Sequence, residues 1–189
     1  MLRLVNGFLR RAVRAQVALI FYAGHGIQVD GQNYLLPIDV KPDSAEHLAS
    51  AAISLSTVLS GLDDKTHATI VILDACRDNP LARPTVSKSE ASRSLTLAPG
   101  LVAPTELGRG GTAGAGTLLA FATAPGQLAL DGDGANSPFS EALVRHIATK
   151  GLEIQTMLTR VRADVVKATG GNQVPWSNSS LLGEVYLAQ

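Results

Sequence analysis

The chain has 189 residues, with 46% hydrophobic and 17% charged side chains. That is enough apolar material for one buried core and too little charge for a disordered chain. Lys plus Arg equals Asp plus Glu at 16 each, and cysteine occurs once. The charge balance gives no electrostatic case for nucleic acid or an anionic membrane as partner. A single thiol excludes an internal disulfide framework and a cysteine-cluster metal site.

In chain order, Leu4, Phe8, Leu9 and Val13 fit one face of a short helix, with arginines on the other. The arginines before the apolar run imitate a signal peptide, but Arg10, Arg11 and Arg14 interrupt it and no small-residue cleavage site follows. No run reaches the ~18 apolar residues of a transmembrane helix, so a soluble chain is expected; no address is visible, and a cytoplasmic location is favoured. Val17–Tyr22 (VALIFY), Thr69–Leu73 (TIVIL) and Thr117–Thr123 (TLLAFAT) are continuous apolar runs, as strands covered on both faces require. A helix is expected over Ser56–Leu62. Ser137-Pro138 reads as the cap and first residue of another, with Phe139, Leu143 and Ile147 on one face. Ile154, Met157, Leu158, Val161 and Val165 mark a further helix, stopped by Gly170-Gly171. Glu184–Leu187 is expected to form the last strand.

Strands alternating with helices predict an α/β fold with a mostly parallel sheet, in which ligands gather at the carboxyl ends of the strands. Those ends carry Gly24-His25-Gly26, Asp74-Ala75-Cys76-Arg77-Asp78 and Ala124-Pro125-Gly126. Pro80–Gly116 differs from its surroundings: rich in Ser, Thr, Ala, Pro and Gly, without apolar periodicity, it divides the chain into a larger front and a smaller back part.

A lone cysteine is more often a small buried hydrophobe than a nucleophile, and a lone histidine more often structural. Here each stands just past a buried strand. His25 lies between two glycines that let a substrate approach the backbone. A histidine, with an ordinary pKa near ~6.5, can deprotonate or pair with a thiol of ~8.5. His47, His67 and His146 carry no such context. Competing motifs fail: the phosphatase loop needs arginine six positions after the cysteine, where Ala82 stands. GRGGTAGAGT lacks the P-loop lysine, and no G-x-S-x-G turn is present.

FYAGHG with DGQNYLLPID, VILDACRDNP, FATAPGQLALDGDGANSPFSEAL and GNQVPWSNSSL together resemble the caspase-like cysteine peptidases (peptidase C14), in particular the bacterial metacaspase or orthocaspase type. The resemblance runs from about Val17 to the C-terminus. It implies a caspase-like three-layer sandwich: residues 17–79 as a large-subunit-like part, 80–116 as linker and 117–189 as a small-subunit-like part. It also implies that the family's first two strands are missing, an N-terminal truncation that would leave the Val17 strand with an unpaired apolar edge. His25 would be the general base and Cys76 the nucleophile, with the N–H groups of Gly26 and Cys76 as oxyanion hole. Lys88, Arg93 and Arg109 would be self-cleavage points.

True caspases read aspartate with a basic pocket. Asp74 and Asp131 match two positions of that pocket's walls, and carboxylates there favour an Arg or Lys side chain before the cut bond. Peptide or protein substrates are thus expected, with no organic cofactor. Calcium activation occurs among metacaspases, without a site readable here. The rival reading is a truncated or inactive caspase-like module acting as a binding or regulatory domain; a weaker one is a cysteine hydrolase of small amides.

Overall fold

The computed structural model describes residues 1–29, 32–40, 51–62, 66–76, 97–98, 116–124, 127 and 129–189. Each of the three apolar runs becomes a strand of one sheet: β1 (Val17–Val29), β4 (Ala68–Cys76) and β6 (Thr117–Phe121). β4 pairs in parallel with β1 on one side and with β6 on the other. Its core is sealed on both faces, with Ile70, Val71 and Ile72 at 0% exposure, as an all-apolar central strand requires.

Short strands complete the sheet: β2 (Gln32–Leu35), β3 (Ile53–Ser54), β5 (Leu97–Ala98) and β7 (Trp176–Ser179). The order is β3-β2-β1-β4-β6-β7, with β5 against β1. β1 serves two ladders. Residues 17–25 run parallel to β4, and Gly26–Val29 turn into an antiparallel ladder with β2. Among the described residues, no strand pairs with the other edge of β1 between Val17 and His25. Phe21, on this strand, is 46% exposed. The expectation that the run is covered on both faces holds in full for β4 and β6; in β1, Val17 and Leu19 pack on one face and Ile20 and Tyr22 on the other, with only partial burial.

Four helices among the described residues supply the outer layers: α1 (Leu2–Arg11), α2 (Leu55–Leu62), α3 (Pro138–Ile147) and α4 (Ile154–Ala168). Strand alternation sorts the core. Ile70, Ile72, Leu118 and Ala120 face α3 and α4, meeting Phe139, Leu143, Ile154, Met157 and Val161. Val71, Leu73, Leu119 and Phe121 face the other way, toward Leu55 of α2. The expected three-layer α/β sandwich is thus observed. Helix α1 packs Phe8 and Leu9 against Ala18 and Leu62, but it ends before Val13, and Leu4 is 77% exposed. No described helix is long and apolar enough to cross a membrane.

The helix starts follow their caps. The Ser137 hydroxyl accepts the Ser140 N–H at 3.0 Å, with Pro138 in the first turn. The Glu153 carboxylate accepts the N–H groups of Gln155 and Thr156 at 2.8 and 3.0 Å. The expected strand over Glu184–Leu187 is absent. Tyr186 makes a single bridge to Glu153, and the apolar character there serves to bury Val185 in the core. The final strand is instead the polar Trp176–Ser179, formed by antiparallel pairing with β6. Within the expected linker, Leu97–Ala98 forms a strand against Gln28 and Val29; Lys88, Arg93 and Arg109 lie outside the described residues.

Candidate active site

The carboxyl end of β4 lies beside β1 at the point where β1 leaves its parallel ladder, and the register fixes what meets there. Ala23 is opposite Asp74, Gly24 opposite Ala75 and His25 opposite Cys76. Neighbouring strands lie about 4.8 Å apart, so the two candidate catalytic backbones are adjacent although 51 positions separate them in sequence. His25 is exposed, and the next residue, Gly26, is buried where β1 passes into its second ladder opposite Leu35.

The turn from one ladder to the next is fastened by Tyr22. Its hydroxyl lies 2.8 Å from the His25 carbonyl and 2.8 Å from the Leu36 carbonyl, and the Leu36 N–H donates to the same His25 carbonyl at 2.9 Å. Half-burial raises the Tyr22 pKa above the ordinary phenol range. Gly24 has φ +156°, and a Cβ there would stand 2.7 Å from the Tyr22 hydroxyl oxygen. The glycine before His25 thus makes room for the tyrosine that holds His25's backbone. Sequence reasoning placed this glycine beside the substrate and assigned Tyr22 only to an apolar run.

Asp74 is 7% exposed. Its Oδ2 accepts the hydroxyls of Ser137 and Ser140, each at 2.5 Å, so the carboxylate at the end of β4 is bound to the first turn of α3. A helix N-terminus also favours a negative charge beside it. Neither serine was singled out as a partner of Asp74 from sequence, and no local signal exists for a contact spanning 63 and 66 positions. Asp131 is exposed, on the segment that leads into the same helix. The structure therefore assembles His25, Gly26, the Cys76 backbone and Asp74 at one sheet edge. His146, by contrast, pairs with Asp164 at 3.0 Å between α3 and α4, a structural contact. Among the described residues, no group of three His, Cys, Asp or Glu side chains is placed to hold a metal ion.

The class of protein this defines is an α/β sandwich in which His25 of β1 lies in register with Cys76, the last residue of β4. The particular family follows from comparison: the caspase domain profile matches residues 1–186, and this chain belongs to that family of cysteine peptidases. The crystal structure of caspase-1 from Spodoptera frugiperda is similar over 99% of this chain and 72% of that one, with a TM-score of 0.52 at 20% identity. At that identity the likeness establishes the fold. No curated protein sequence matches significantly.

Proposed function

We propose that this chain is a metacaspase-type cysteine endopeptidase, cytoplasmic, that cleaves peptides and proteins after Arg or Lys. The observation that carries the reading is the register of His25 against Cys76 at the carboxyl edge of the sheet, in a chain of the caspase family. Register partners on adjacent parallel strands share a face, as a two-residue catalytic pair requires.

In this reading His25 takes the thiol proton and the Cys76 sulfur attacks the carbonyl carbon. The resulting oxyanion is held by the N–H groups of Gly26 and Cys76, which are aimed at charge that develops only in the intermediate. His25 returns the proton to the departing amine, leaving a thioester. Water, deprotonated by the same histidine, then releases the acid and restores the thiol. No organic cofactor enters these steps. Asp74, and Asp131 ahead of α3, supply the negative charge that favours a basic side chain before the cut bond.

The test is hydrolysis of paired fluorogenic peptides ending in Arg, Lys or Asp, with and without calcium, by wild type, Cys76→Ala and His25→Ala. Arg and Lys cleavage that disappears in both variants supports the reading. Asp cleavage overturns the acidic pocket. Absence of cleavage by folded wild type replaces the enzyme with a binding module, and a calcium requirement assigns the metal a role in activation.

A further inference from the structure

Gln173 is 0% exposed, an unusual place for an amide, and both ends of its side chain are used. Its Nε2 donates to the Ala122 carbonyl at 2.8 Å, and its Oε1 accepts the Leu130 N–H at 3.0 Å. Ala122 directly follows β6, and Leu130 directly precedes Asp131. One side chain therefore closes the mouth of the loop between them.

The chain of bonds continues on both sides. The Ala122 N–H donates to the Leu73 carbonyl at 2.9 Å, and Leu73 is the neighbour of Asp74. Behind Gln173, its backbone N–H donates at 3.1 Å to the Thr169 hydroxyl, which itself donates to Val165 at 2.8 Å on the last turn of α4. The path from Asp131 through Leu130, Gln173, Ala122 and Leu73 thus ends one residue from Asp74. We propose that Gln173 is a positioning residue that sets the separation of Asp131 from Asp74, and so how tightly a basic side chain is gripped. This rests on the reading of those two acids as the specificity pocket.

The chemistry requires this residue type. The position needs a donor and an acceptor on one planar group at the reach of two methylenes. Glutamate supplies the acceptor but sets a second oxygen against the Ala122 carbonyl. Methionine fills the space and supplies neither bond. Asparagine falls one methylene short.

Gln173→Glu and Gln173→Met, in the full chain, are to be assayed on peptides ending in Arg and in Lys, beside the rate at which iodoacetamide alkylates Cys76. The expected result is a KM about tenfold higher, equivalent to ~1.4 kcal/mol of binding, with kcat and alkylation within twofold of wild type. Unchanged KM in folded variants overturns the proposal, as does a fall in kcat and alkylation with KM unchanged, which would mark a general structural loss. Amide hydrogen exchange on wild type decides the clamp without any variant. Slow exchange at Leu130 is expected, and exchange at the rate of an unprotected amide overturns the proposal. If wild type cleaves neither Arg nor Lys peptides, the peptidase reading fails, while the exchange rate still decides whether Gln173 holds the loop.

Discussion

Replacing Gly24 by alanine tests how the His25 strand is held. The added Cβ would lie 2.7 Å from the Tyr22 hydroxyl oxygen and 3.0 Å from Cζ, at a backbone φ of +156°. The ring cannot retreat without drawing its hydroxyl from the His25 and Leu36 carbonyls. A non-glycine residue at such a φ costs of order 1–3 kcal/mol, and the displaced hydrogen bonding about 1 kcal/mol more. Gly24→Ala should therefore lose about 2–4 kcal/mol, which for a domain of this size lowers Tm by roughly 5–15 °C. The assay is urea unfolding of wild type, Gly24→Ala, Tyr22→Phe and the double variant. Phenylalanine lacks the oxygen nearest the new methyl group, so the double variant should be more stable than the sum of single losses predicts, by about 1 kcal/mol. A Gly24→Ala chain within ~0.5 kcal/mol of wild type refutes the reasoning. So does strict additivity, which would show that the tyrosine hydroxyl and the space at Gly24 are unrelated.

Three further outcomes follow from named contacts. Ser140→Ala removes one hydroxyl from the buried Asp74 carboxylate and should cost about 1.5–3 kcal/mol; Ser137→Ala also removes the cap of α3 and should cost about 1 kcal/mol more, both read by urea unfolding. Gly116→Ala places a Cβ 2.1 Å from the backbone oxygen of Ser180, a residue whose N–H donates to the Thr117 carbonyl at the start of β6; soluble yield and circular dichroism should show little folded protein. Tyr22 has its pKa raised in the folded state by burial, so its contribution is complete below the unfolded value near ~10 and is lost as pH rises toward the folded one. Urea unfolding of Tyr22→Phe should show a shallower fall in stability above pH ~10 than wild type.

What the sequence made legible were features whose cause is local. Thr69–Leu73 announces a buried strand because every side chain after the threonine is apolar, and Val17–Tyr22 announces a strand by the same pattern, though one only partly buried. Ser137-Pro138 announces α3 because a hydroxyl cap and a proline lacking an N–H suit the same first turn. Cys76 is read from sequence as a strand end and is the last residue of β4, whereas β1 runs past His25 and its glycines to Val29. Features with a distant cause were not legible. Trp176–Ser179 has no strand pattern of its own and becomes β7 through its register with Leu118–Phe121. Glu184–Leu187 looks like a strand, yet only Val185 is drawn inward, and the segment makes one bridge. Tyr22 reads as one more apolar residue until the chain turns and brings Leu36 to its hydroxyl.

The same distinction explains how the two halves of the candidate site are joined. The front part supplies His25, Asp74 and Cys76, while the back part supplies Ser137, Ser140 and Gln173. The parallel ladder between Thr69–Leu73 and Thr117–Phe121 brings the parts together, but a ladder alone fixes strands rather than side chains. The side-chain positions come from polar bonds that cross between the parts: Asp74 to the two serines, and Gln173 to Ala122, whose N–H reaches Leu73. Both crossings converge on Leu73 and Asp74, next to the cysteine strand end. An apolar core tolerates exchange of one hydrophobe for another, whereas each buried polar bond admits few partners. In the proposed reading, loss of substrate grip is therefore expected from these three back-part residues sooner than from the apolar residues beneath them, with the serines also losing the stability given above.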